Sequence, residues 1–278
     1  FSSFEMGKYL LYLNYGGNML IIFILGLVIG SFLNVCIYRL PLEQSLSFPP
    51  SHCQHCQSAV KKYDLIPVLS WLLLGGKCRQ CGMKISYIYP LVELLTGLMF
   101  VWAYVATNSN LELMRALSLV SFFIVITVID FQHQLILDKL LIPMAIVGVG
   151  FNVLINENLL AGYNYGAELL TVSYAEMALG SIIGGGLLLI IAIVSNGGMG
   201  GGDVKLATVL GLWLGWQYNI TLLLLSFILG GIICSLLLLL KIRSRKDYIP
   251  FGPFITLAGW LVYLYGKEII NWYWSLMS

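Results

Sequence analysis

Charge is what this chain has least of. Only 10% of its 278 residues are Asp, Glu, Lys or Arg, against 59% hydrophobic, where a soluble domain carries roughly 25% charged residues. A water-soluble globule needs more polar surface than that. Disorder is excluded on the same ground, because it requires low hydrophobicity and high net charge. Neither sign of charge prevails, with 15 Lys+Arg against 13 Asp+Glu, so the balance gives no reason to expect nucleic acid as a partner. With a mean hydropathy of +0.88, the chain reads as an integral membrane protein with most of its length in contact with lipid.

A membrane-spanning helix needs ~20 mostly apolar residues to cross a core ~30 Å thick. Eight stretches qualify: 19–39, 89–106, 114–129, 140–155, 177–195, 204–216, 221–240 and 254–273. A transmembrane β-barrel would show alternating segments of ~10 residues, and the run LLLLSFILGGIICSLLLLL at 222–240 does not alternate. The expected fold is an all-α bundle of about eight transmembrane helices, with Gly184, Gly185 and Gly186 allowing neighbouring helices to approach closely.

Basic residues set the orientation. Eight spans put Arg39, Lys61, Lys62, Lys77, Arg79, Lys84, Lys139, Lys205, Lys241, Arg243, Arg245 and Lys246 on one face, leaving Lys8, Arg115 and Lys267 on the other. The crowded face is then cytoplasmic, and the loop 156–175, free of Lys and Arg, is external. The chain starts with Phe1, and residues 1–18 are set aside as a segment that processing, truncation or cloning would explain. The expected organisation is this segment, a first transmembrane helix at 19–39, a cytoplasmic loop at 40–88 and a helical bundle at 89–278.

Cys36 and Cys234 lie in apolar spans and read as small buried hydrophobes. The other four form Cys53-Gln-His-Cys56 and Cys78-Arg-Gln-Cys81, with 21 residues between the pairs. Two such pairs make a zinc-ribbon pattern, each bringing two thiolates to one edge of a tetrahedral ion. Two disulfides are the alternative, but cytoplasmic thiols stay reduced. The expected ligands are Cys53, Cys56, Cys78 and Cys81, for zinc or iron in its place, with His52 and His55 as neighbours. A closed four-cysteine shell leaves no open position, so the site is structural. It would order a loop of about 50 residues that is too short to build its own core.

Acidic residues at membrane segments are costly without a partner or a task. Glu93 lies one turn into the second span, Asp130 ends the apolar run 122–129, and Asp138 follows. Asp203 closes Gly197-Gly-Met-Gly-Gly-Gly-Asp203. Asp130, Asp138 and Asp203 all fall near the cytoplasmic face. Two of them brought together can share one proton, one acting as base on water and the other as acid. Helix capping by Asp138 or Asp203 is the plainer alternative, as is a lysine partner for Asp130. Four glycines within 198–202 permit φ > 0 and close backbone approach; a flexible connector would use them too. The run is not a P-loop, since the Walker order of Gly, Lys and Ser/Thr is absent.

These motifs together resemble the bacterial type IV prepilin peptidases, membrane aspartyl proteases of the GxGD type. The resemblance is carried by 30–41 (GSFLNVCIYRLP), 49–53 (PPSHC), 66–72 (IPVLSWL), 75–78 (GGKC), 89–93 (YPLVE), 129–134 (IDFQHQ), 198–206 (GMGGGDVKL) and 249–254 (IPFGPF). It implies Asp130 and Asp203 as the catalytic pair, with Gly200, Gly201, Gly202, Asp138 and Lys205 as the surrounding active-site loops. It implies cleavage of the basic leader of type IV prepilins or type II secretion pseudopilins, after a glycine, at the cytoplasmic face of the bacterial inner membrane. It further implies S-adenosylmethionine-dependent methylation of the new N-terminus, with Gly76 and Lys77 in the loop associated with that transfer. The chain departs from the family at Leu137-Asp138, where Pro-Asp is common. Peptidase activity alone, a transporter, or a scaffold held by its metal loop are the competing readings; a transporter would show inverted repeats, and none is evident.

Overall fold

A computed structural model describes residues 3–157, 171–242, 244 and 249–277. Most of the expected external loop 156–175, and Arg243, Arg245 and Lys246, lie outside the described residues. The chain divides into two compact units, Phe1–Asn108 and Ser109–Ser278. Among the described residues regular structure is entirely helical, apart from two isolated bridges.

The N-terminal unit has two long helices, α1 (Ser3–Arg39) and α3 (Ile88–Ala106), with the short helix α2 (Leu69–Leu73) and a 3₁₀ turn (Lys62–Leu65) in the segment between. α1 and α3 pack antiparallel through glycine. A Cβ on Gly26 would lie 2.6 Å from the Gly97 Cα, and one on Gly30 2.8 Å from the Glu93 Cα. Gly26 and Gly30 form a GxxxG face, which lets backbones meet where lipid offers no hydrophobic drive for association.

The C-terminal unit holds α4 (Asn110–His133), α5 (Asp138–Asn156), α6 (Tyr174–Val194), α7 (Gly201–Leu239) and α8 (Gly252–Met277). Ser109 caps α4 by accepting from the Glu112 N–H at 3.2 Å, and Ser173 with Glu176 forms a capping box on α6. Six helical stretches are long and apolar enough to cross a membrane: Gly17–Arg39, Ile88–Ala106, Asn110–His133, Asp138–Asn156, Tyr174–Val194 and Gly201–Leu239. Their outward faces are apolar, with Ile142 61%, Ile182 69% and Leu224 61% exposed, as lipid requires. The protein is a multi-pass membrane protein.

The sixth and seventh expected spans fall within α7, which is interrupted at Gly215 (φ 75°, ψ −179°). Asn219 donates to the Ala207 carbonyl at 3.0 Å; along a straight helix these residues would stand ~18 Å apart. α7 therefore folds back on itself at Gly215 into two arms. Asn219 also donates to Gly180 O at 2.9 Å, tying α6 to the fold. The first arm packs antiparallel on α6, Gly180 against Gly211 and Gly184 against Ala207. Gly184 and Gly185 make the close approach expected of them, whereas Gly186 faces open space. The eighth expected span lies in α8, whose helical geometry breaks at Tyr265.

Two further polar residues fix the C-terminal unit. Asn152 donates to Leu212 O at 2.7 Å, and Trp213 donates to Met144 O at 3.0 Å. Arg115, which charge counting assigned to the external face, is 1% exposed, donates to Trp213 O and lies 5.6 Å from the Tyr263 ring.

Candidate active site and metal centre

In the C-terminal unit four helix termini converge. Asp130 sits in the last turn of α4, which ends when Gln134 turns left-handed at φ 55°. Asp138 opens α5, while Asp203 and Lys205 lie in the first turns of α7. Gly252 starts α8. Asp130 is 5% exposed and Asp203 4%, on helix ends that meet around Ile136 and Gly252.

The Asp130 carboxylate accepts the Gly252 N–H at 3.1 Å. A Cβ at Gly252 would come within 2.5 Å of Asp130 Oδ2, and one at Gly202 within 2.9 Å of Ile136 Cβ. Ile136 also borders Gly252, 3.2 Å from where its Cβ would be. Two glycines thus allow α7 and α8 to close on the loop after Asp130. No lysine bonds to Asp130 among the described residues.

Neither Asp138 nor Asp203 is a helix cap. The cap of α5 is Leu137, and both Asp138 oxygens take Lys205 Nζ at 2.8 Å. The cap of α7 is Gly200, and Asp203 is the third helical residue, its N–H bonded to Gly200 O at 3.1 Å. The positive φ allowed within 198–202 is not used there; Gly197 takes it instead, at 88°. Gly201 faces open space. The glycines of this run serve close packing, at Gly202, more than unusual backbone.

In the N-terminal unit the four cysteine sulfurs lie within 4.8 Å of one another. They sit on two knuckles of the same backbone design. The Cys53 N–H bonds Ser58 O and the Cys78 N–H bonds Met83 O, while Cys53 O accepts from Gln57 and Cys78 O from Gly82. Gln57 and Gly82, at matching positions, both have positive φ, 58° and 70°. An ion with metal–sulfur bonds of ~2.3 Å gives tetrahedral edges of ~3.8 Å; the sulfurs of Cys53 and Cys81 are 3.8 Å apart. The set fits zinc. The Ser58 hydroxyl, 2.9 Å from the Cys56 sulfur, pulls that thiol down to about 6, toward the thiolate a metal needs. His52 turns its Nδ1 to Pro50 O at 2.9 Å, and neither it nor His55 joins the cluster.

The segment around the knuckles is pinned by residues that spacing alone did not single out. Arg39 is 6% exposed and donates to the carbonyls of Ser45, Leu46 and Pro49. Arg79 grips Asp64 with two bonds of 2.9 and 2.6 Å, holding the Asp64 carboxyl below its usual range. Gly75 and Gly76 both adopt positive φ, and a Cβ on Gly76 would meet Trp71 at 2.8 Å. Lys77 is exposed, its backbone bridged to Lys84.

Residues 24–107 match the family model described as the bacterial peptidase A24 N-terminal domain, and residues 117–235 match the type IV leader peptidase family. The chain belongs to the prepilin leader peptidase/N-methyltransferase family. It is 35% identical to the prepilin leader peptidase/N-methyltransferase of Aeromonas hydrophila, over 91% of this chain and 92% of that protein. The Legionella pneumophila protein of the same name is 34% identical over 95% and 97% of the two chains. That of Bacillus subtilis is 33% identical over 91% and 96%. No solved structure matches the chain. The two family models fall one in each compact unit, so the cysteine cluster lies in the first and the aspartates in the second.

Proposed function

We propose that this membrane protein is a bifunctional leader peptidase and N-methyltransferase acting on type IV prepilins or pseudopilins at the cytoplasmic face of a bacterial inner membrane. The observation that carries the peptidase is the Asp130–Asp203 pair, two carboxyls drawn from different helices into one nearly closed site. One carboxylate takes a proton from water as the water attacks the scissile carbonyl. The other, protonated, donates to the departing amine, and neither metal nor covalent intermediate is needed. The Gly252 N–H orients the Asp130 carboxylate. Asp138 and Lys205 tie α5 to α7 and position Asp203 without sharing in the proton exchange.

The cysteine cluster holds a structural Zn²⁺ that orders the segment between α1 and α3. S-adenosylmethionine is the methyl donor. The released α-amine, with an ordinary pKa of ~7.7–8.0, is partly uncharged near neutrality. A bound donor would supply its methyl carbon to the amine's lone pair, keeping the carbon–sulfur bonding electrons on sulfur, and the methylated ammonium would release a proton to water. Gly75 and Gly76 shape the loop beside the cluster. The charge count, which with eight spans would put 12 of the 15 Lys and Arg on one face, supports a cytoplasmic orientation for the cysteine segment and for the aspartates.

Purified protein incubated with a prepilin, with and without S-adenosylmethionine, tests both activities through product mass. Cleavage in both samples and one added methyl only with the donor is the expected result. Cleavage without the methyl would leave a peptidase alone; an intact prepilin would remove the peptidase.

A further inference from the structure

Glu93 takes no part in either set of residues described above. It is 8% exposed on α3; one oxygen accepts the Val68 N–H at 2.7 Å, and the carboxylate also bonds the Ser31 hydroxyl. Among the described residues no Lys or Arg pairs with it. A carboxylate so placed in a membrane helix is costly unless a positive group comes to it.

Beside it is a cavity of 600 Å³, within the N-terminal unit, whose walls include Asn34, Tyr38, Trp71, Tyr89 and Glu93. That volume lies inside the range of about 300–1,000 Å³ typical of small-molecule sites. Of its other charged residues, Arg39, Arg79 and Asp64 are already engaged. Arg39 donates to three backbone carbonyls and Arg79 is held by Asp64, while Lys61 and Lys84 are exposed. Asn34 donates to Tyr89 O at 2.9 Å and holds α1 against α3 along the wall. The same cavity wall thus carries three aromatic rings and a buried carboxylate with no Lys or Arg bonded to it among the described residues, a combination that favours a soft cation.

We infer that this cavity binds the methyl donor, an amino-acid-bearing nucleoside sulfonium, with its positive sulfur against Glu93. The donor's own carboxylate then has Lys61 and Lys84 as partners at the rim. This inference rests on the methyltransferase reading and gives it a location: Glu93 holds the sulfonium while the methyl group leaves, and its hold weakens when sulfur becomes neutral.

The test is calorimetric binding of S-adenosylmethionine and of S-adenosylhomocysteine, its neutral thioether product, to the purified full chain and to Glu93→Gln. Gln keeps an acceptor for Val68 and removes the charge; unchanged metal content reports that the segment is folded. Glu93→Gln should weaken the sulfonium by about tenfold or more and the thioether by less than about threefold, with prepilin cleavage unchanged. Sulfonium affinity within about twofold of the parent, or equal loss for both ligands, would overturn the inference while leaving the methyltransferase intact. Should Glu93→Gln lose its metal, Tyr38→Leu on the half-exposed wall carries the same test: weakened sulfonium binding supports the site and unchanged binding removes it. A parent protein that binds neither ligand and never methylates cleaved pilin would remove the methyltransferase reading and this inference with it.

Discussion

The cysteine cluster and the aspartate pair are built in opposite ways. The four thiols sit on two knuckles in a segment held, among the described residues, by hydrogen bonds, the Arg79–Asp64 pair and the ion the thiols would share. The two carboxyls are placed by the ends of helices packed through glycine and buried Asn, and they are 5% and 4% exposed. Losing the ion should therefore unmake the first site, whereas the second is independent of metal and is broken only by its own residues or by crowding the helix ends. Two sites in one chain can then be switched off separately.

The largest effect is expected at the carboxyls. Asp130→Asn or Asp203→Asn keeps the shape and removes the proton exchange, so prepilin cleavage should fall by about 10³-fold or more with an unchanged thermal transition. Cleavage by either variant near the parent rate would show that the pair is not catalytic. Next comes Cys78→Ser, which opens the metal shell and should lower metal affinity by about 100-fold or more. Limited proteolysis should then cut within 40–87, and methylation should suffer more than cleavage. Equal loss of both activities would break the contrast between the sites.

Gly252→Ala sharpens it. The added Cβ would stand 2.5 Å from Asp130 Oδ2, and displacing a reacting carboxylate by this much should slow cleavage by about 10–100-fold while metal content and methylation of a pre-cleaved pilin stay normal. The smallest effect belongs to Lys205→Met. Its pair with Asp138 is 59% exposed on each side, so cleavage should fall by only about two- to fivefold, and high salt should reproduce the loss in the parent protein. Asp138→Asn should match it, and the double variant should be no worse than either alone.

Much of this was legible because it depends on residue type at fixed spacing. Hydropathy located the helices, and two CxxC pairs placed the metal ligands within one another's reach. Sequence pattern and structure differ where polar residues serve a task that their neighbours in the chain do not reveal. Gln217, Tyr218 and Asn219 look like a connector, so a loop was expected after Trp216; instead the chain turns at Gly215, and Asn219 is fully buried as a bond between helices. Charge counting puts Arg115 on the external face and hydropathy starts the third span at 114, whereas α4 begins at Asn110 behind its Ser109 cap and buries Arg115. Asp138 looked like a cap because an acid preceded a helix; its partner, Lys205, is 67 residues away. The bond from Gly252 to Asp130 spans 122 residues, a distance at which local pattern carries no information. Gly26 and Gly30, by contrast, form a GxxxG pattern that sequence alone displays.

The central claim, one chemistry in each unit, is tested most directly by giving Asp203→Asn two substrates with S-adenosylmethionine present: an intact prepilin, and a pilin already cleaved to expose its amine. Product mass should show the prepilin uncut and the cleaved pilin one methyl heavier. A cut prepilin, or a cleaved pilin left unmethylated by this folded, metal-bearing variant, would contradict the account.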